Sequence, residues 1–247
     1  MHYKHLKSLI LCHNIRPYGN NQLQRALRII KQKEKFIIED AVRALIKNPH
    51  TQPVRSGHYS ISQLIREINT ITNQYYFLYI QISQFEIYLR TYINHKMIKN
   101  HGRQWHLNNV MSDLKEFNTP VVKGLSKPSQ ALNSISFGTL ELVFLNGGRF
   151  GSVFLPELLT DRVLNKDDTP KYSSKKKIKP LFSIIRNARN DICHHRRIGE
   201  SIKSNPHYKK KNMTRSDVIN ALKDLMALVD YESELDVQQV QLQYRKF

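Results

Sequence analysis

From Leu64 to Leu89 the apolar residues fall at separations that alternate between four and three: Leu64, Ile68, Ile71, Tyr75, Leu78, Ile82, Phe85 and Leu89. Ile93 and Met97 extend the run by two further steps of four. An α-helix returns side chains to one face at this spacing and a strand does not. The stretch therefore predicts one helix of roughly 40 residues, about 60 Å long if unbroken. That exceeds the usual globular length, so the reading allows for a break. Ser60 and Gln63 make a capping box at its start, and His101-Gly102 ends it. The rhythm suits antiparallel packing in a bundle or a seam with a second copy of the chain. An intrachain bundle is expected for most of its length.

The rest of the chain reads as helical too. A helix is expected from about Asn21 to Lys47, with Leu23, Leu27, Ile30, Ile37, Ala41 and Leu45 on one side and KQKEK as a solvated charged stretch. NPHTQPVRSG (48–57) is a loop. Beyond the long helix come a short amphipathic helix at His106–Phe117 and the connector TPVVKGLSKP (119–128). Helices follow at about Ser136–Leu145 and Val153–Leu164, then an exposed, basic-ended loop at 165–179. A second basic loop (200–212) precedes a last helix capped by Thr214 and Asp217. No alternating strand pattern persists, so the fold class is all-α. The expected organisation is an N-terminal helical extension (1–57), a helical domain (58–235) and a polar tail (236–247).

Within that domain, KPLFSIIRNARNDICHHRRIG (179–199) is the most informative stretch. Pro180 stands where a helix can begin and Gly199 where it can stop. Leu181, Ile184, Ile185, Ala188 and Ile192 form an apolar stripe, and Arg186, Arg189, Asn190, His194, Arg196 and Arg197 lie off it. On a regular helix Arg189 and His194 project about 140° apart, whereas Asn190 and His194 share a face. Arg189 and His194 converge if the helix ends near His194 or if a second copy of the stretch faces the first. His195 projects near the stripe, where it reads as a packed, hydrogen-bonded histidine; the other reading is a contact to a polyanion. Cys193 is assigned no nucleophilic role, for want of a base and an orienting group.

Arginine and histidine together suit phosphodiester chemistry. A guanidinium holds a phosphate through parallel donors and keeps its charge. An imidazole titrates near neutrality and moves protons. RNA supplies its own nucleophile, the 2′-OH, so neither metal nor cofactor is required. No acidic cluster fit for two metal ions is visible, which counts against a metal-dependent nuclease. The competing readings are a surface salt bridge for Arg189 and a helix C-terminal cation for His194.

Charge points to the partner. Lys and Arg outnumber Asp and Glu by 39 to 20, a formal charge of +19, which favours nucleic acid. Lys175, Lys176 and Lys177, with Lys209, Lys210 and Lys211, are candidate RNA-backbone contacts beside Arg186, His195, Arg196 and Arg197. Two cysteines, Cys12 and Cys193, make neither a disulfide framework nor a zinc motif. No secretory signal or membrane-length segment is read, so a cytoplasmic location is expected.

RNDICHHRRI, preceded by IIRNA, resembles the HEPN ribonuclease motif Arg-x4-6-His with a polar residue after the arginine. It is similar to the Arg-Asn-x-x-x-His-His stretch of the Abi-like abortive-infection family (AbiD and AbiF type). FEIYLRTYINHKM (85–97) resembles that family's Glu-x-x-Leu-Arg helix, and SFGTLELVF (136–144) the helix before the catalytic one. The likeness spans roughly residues 60 to 200. It implies an HEPN-like helical bundle and a metal-independent endoribonuclease, a homodimer with one composite site, acting as a toxin in phage defence. Arg189 would hold the scissile phosphate, His194 would transfer a proton or touch the phosphate, and Asn190 would orient one of them or bind the backbone. The products would be a 2′,3′-cyclic phosphate and a 5′-hydroxyl. Some relatives are restrained by a small structured RNA, which implies a second RNA partner. The rival expectation is a non-catalytic module that holds a specific small RNA. Glu86 and Arg90, one turn apart, read as a structural ion pair or as support for the active site.

Overall fold

The computed structural model describes residues 15–16, 20–47, 58–107, 124–145, 151–200 and 213–231. Expectations for Cys12, the 48–57 loop, most of the His106–Phe117 helix, the basic loop with Lys209, Lys210 and Lys211, and the polar tail lie outside these residues. The described chain is all-α apart from one short ladder and an isolated antiparallel bridge between Leu164 and Pro170. Its elements are β1 (Ile15–Arg16), α1 (Asn20–Lys31), α2 (Lys35–Lys47), β2 (Tyr59–Ser60), α3 (Ile61–His101), α4 (Pro128–Ser134), α5 (Phe137–Leu145), α6 (Gly151–Leu158), α7 (Lys175–Cys193) and α8 (Arg215–Leu228). None of these helices is long and apolar enough to cross a membrane.

The long apolar rhythm forms α3, unbroken over 41 residues. Ser60 Oγ accepts the Gln63 N–H at 3.1 Å and Gln63 Oε1 accepts the Ser60 N–H at 2.7 Å, so the capping box is made in both directions. At the far end Gly102 takes φ +81°, a left-handed conformation that glycine adopts without a Cβ penalty.

The chain divides into two compact units, and the division passes through α3 between Tyr79 and Ile80. The first unit includes β1, α1, α2, β2, α3 to Tyr79, and Ile192–Arg197. β1 and β2 pair in parallel, Ile15 opposite Tyr59 and Arg16 opposite Ser60. Ile15 shares one buried apolar cluster with Ile30 of α1, Ile38 and Leu45 of α2, and Leu64 and Ile68 of α3.

The single helix expected over 21–47 is two helices. The Gln32 N–H turns back to Ile29 O at 3.1 Å, closing α1, and Glu34 O accepts the Ile37 N–H at 3.1 Å, opening α2. The break lies inside the charged KQKEK run, where no apolar residue reports the helical phase.

The second unit centres on Phe144 of α5. Its ring lies 5.2 Å from Phe154 of α6, 5.6 Å from Phe182 of α7 and 6.2 Å from Tyr92 of α3. Ile82, Phe85, Leu89, Ile93 and Met97 of α3 are fully buried. Each such side chain contributes about 1.5–3 kcal/mol by leaving water. The α3 rhythm is thus buried within one chain.

The connector ends in a helix, α4, with Pro128 at its first position, where no donor is missed. The helix expected to reach Leu164 ends at Leu158, because 163–171 closes into a turn: Lys171 donates to Val163 O at 2.9 Å and Asn165 to Thr169 O at 2.8 Å. α8 begins as expected, with Thr214 and Asp217 capping each other.

Candidate functional site

α7 carries the candidate residues, with boundaries that differ from expectation at both ends. It starts at Lys175, inside the segment read as a loop, and Pro180 sits within it. The carbonyl of Ser174 opens the helix, accepting from Lys177 at 3.0 Å and Ile178 at 3.3 Å. Pro180 lacks the N–H that would bond Lys176 O, but Lys176 is exposed, so water can serve that carbonyl. Lys175, Lys176 and Lys177 therefore form the first turn of a helix. The helix stops at Cys193, short of Gly199. The His195 N–H bonds Ile192 O at 3.1 Å, and His195 takes φ +53°, the left-handed position that commonly closes a helix. His194 thus stands on the terminating turn, off the helical repeat.

Ile178, Leu181, Phe182, Ile185 and Ala188 form the buried face, and Asp191 continues it, fully buried. Ile184 and Ile192, both expected on that face, are only half-buried. The Asp191 carboxylate accepts the Gly199 N–H at 2.8 Å.

In the second unit, Arg189 is half-exposed, with its Nε 3.2 Å from Glu86 Oε2. Glu86 Oε1 receives Arg90 Nη2 at 2.5 Å. Arg90 also donates to Ile135 O at 3.0 Å and to Leu132 O, past and within the end of α4. One carboxylate therefore joins two guanidinium groups and leaves a local surplus of positive charge. Arg186 meets Glu141 at 2.5 Å; burial pushes the Glu141 carboxyl up, against the opposing charges of Arg186 and Lys179. Asn190 is half-buried.

In the first unit, His194, His195 and Arg196 are exposed. His195 is therefore not the packed histidine that its projection implied: it lies on the turn, with Nδ1 3.0 Å from Glu34 Oε1. Arg197 pairs with both Glu39 and Asp40 at 3.0 Å. Burial alone would raise the Glu39 carboxyl, but Arg197 and Lys35 outweigh it and hold it below the usual glutamate range. Cys193 is a free, exposed thiol.

The sequence showed the Glu86–Arg90 spacing but not the third member, Arg189, which approaches from another helix. It also missed Asp191. The signal was there: a carboxylate one turn on from Ala188, on the buried stripe. Among the described residues, no three His, Cys, Asp or Glu side chains group closely enough to hold a metal ion.

No protein-family profile, curated protein or solved structure matches the chain.

Proposed function

We propose that the chain is a metal-independent endoribonuclease of HEPN type, in which two copies join their Arg189–His194 stretches around one ribose-phosphate linkage. The observation that carries this reading is the stop of α7 at Cys193. The helix bears Arg189 and Asn190 on its last turn and releases an exposed His194 onto the turn beyond. The net charge of +19 supports a polyanionic substrate. So does the placement of three lysines at the N-terminal end of α7, where the helix dipole disfavours cations.

The reaction follows from the groups present. The 2′-oxygen attacks the adjacent phosphorus and its proton passes to a base. The P–O5′ bond breaks, and the leaving 5′-oxygen takes up a proton. A neutral His194 imidazole accepts the first proton, and a protonated one supplies the second, so two copies serve both roles. Arg189 neutralises the charge that builds on the non-bridging oxygens. Asn190 orients one of these groups or holds the backbone. Lys175, Lys176, Lys177, His195 and Arg196 bind phosphates without sequence preference. Arg186 and Arg197 are already ion-paired and His195 lies against Glu34, so the share of these three is smaller. The role is that of a toxin or abortive-infection effector against phage. Arg189→Ala or His194→Ala in purified, folded protein is expected to abolish RNA cleavage and growth arrest; a double variant that cuts RNA at the wild-type rate refutes the site.

The ion-pairing of Arg189 favours a second reading, a module that holds a specific small RNA without cutting it. RNA of one size and sequence, co-purified with an inactive protein, would select it.

A further inference from the structure

We infer that Glu86 is the positioning residue for Arg189, an inference that rests on the ribonuclease reading above. Glu86 is 8% exposed, and a carboxylate that buried needs partners. Arg90 already meets that need. It sits one turn along α3, bonds Glu86 Oε1, and is itself held by two carbonyls at the end of α4. Arg90 is 13% exposed at its side chain and reads as structural. Neutralising Glu86 does not require Arg189.

Arg189 takes the other oxygen, Oε2, through Nε. Its side chain is 37% exposed, against 13% for Arg90. A guanidinium presents five N–H donors in a planar fork. Held at Nε, it keeps the outer pair of Nη groups, the edge that takes two oxygens of one phosphate. Because Arg90 fixes Oε1, the carboxylate cannot swing, and Oε2 becomes a fixed point from which the Arg189 plane is aimed. Arg189 is thereby ordered before substrate arrives, and less conformational freedom is lost on binding. The carboxylate touches no substrate and acts through Arg189.

The test compares wild type, Glu86→Gln, Glu86→Asp and Arg189→Ala, each checked for folding by circular dichroism. Cleavage of a defined RNA is followed with chelator present, and the phenylglyoxal modification rate of Arg189 is read by peptide mass spectrometry against exposed Arg103. Glu86→Gln is expected to lower kcat by about tenfold or more while KM stays within about threefold, because aim is lost but the basic surface is kept. Arg189 modification should rise several-fold, and Glu86→Asp should restore part of both. An Arg189 modification rate unchanged in folded Glu86→Gln overturns the inference, as does a wild-type kcat. If wild type cuts no RNA, the ribonuclease reading fails and the modification rates still decide whether Glu86 restrains Arg189. If Glu86→Gln does not fold, Glu86→Asp decides, with an intermediate modification rate expected and an unchanged one contradictory.

Discussion

The buried carboxylate of Asp191 accepts the backbone N–H of Gly199 at 2.8 Å, so the segment carrying His194 to Arg197 leaves and returns at one tied point. Gly199 is suited to that return in two ways. It takes φ +88°, and a Cβ there would lie 2.8 Å from Met213 O and 3.2 Å from Met213 Cβ. Gly199→Ala combines backbone strain with a clash against main chain, and should cost about 1–3 kcal/mol in urea unfolding. Asp191→Ala leaves a buried N–H without its acceptor and should cost a similar amount, about 1–3 kcal/mol. Unfolding midpoints equal to wild type would show that the tie is not structural.

Arg189→Lys is a sharper probe of the candidate site than Arg189→Ala. Lysine keeps the charge but not the planar fork. Both variants should lose roughly a hundredfold or more in RNA cleavage, the scale seen when one positioned donor to a transition-state oxyanion is removed. Stability should move by less than about 1 kcal/mol, because the Arg189–Glu86 pair is partly exposed and Arg90 remains to serve Glu86. Full activity in Arg189→Lys would leave only a point-charge role.

Glu39 and Glu141, whose carboxyls are displaced in opposite directions, give pH trends of opposite sign. Glu39 is held below its usual range, so its contribution to stability is present above the ordinary glutamate range and is lost as pH falls through and below it. The stability gap between wild type and Glu39→Gln should therefore shrink on acidification. Glu141 is displaced upward, so its contribution is full below the ordinary range and is lost as pH rises through the raised value. Wild type should lose ground to Glu141→Gln as pH rises through that window. Chemical denaturation across the acidic range checks both, and parallel trends would contradict the assignments.

Lys176 and Lys177 are exposed on the first turn of α7. If both neutralise phosphates, replacing them with alanine should lower the slope of log affinity against log salt by about two, with no change in sequence preference. An unchanged slope would remove them from the RNA surface.

What the sequence made legible follows from how local each signal is. The α3 rhythm is a period written into neighbouring residues, and both capping boxes span three positions, so all three could be seen without a fold. The break between α1 and α2 could not, because polar residues at 32–34 carry no phase. Pro180 suits a first turn, yet the Ser174 carbonyl accepts from Lys177 and Ile178, and α7 begins at Lys175, one turn and more before that proline. The stop at Cys193 depends on His195 adopting a conformation usually left to glycine. Arg189 was singled out by its type and neighbours. Its ion pair with Glu86 joins two helices far apart in sequence, and no spacing rule reaches that far.

The most direct measurement is end-group analysis of total RNA incubated with purified protein in the presence of chelator. The account predicts cleavage that survives the chelator, leaves 2′,3′-cyclic phosphate and 5′-hydroxyl ends, and vanishes with His194→Ala. No cleavage, cleavage that the chelator abolishes, or ends bearing 3′-hydroxyl and 5′-phosphate would contradict it.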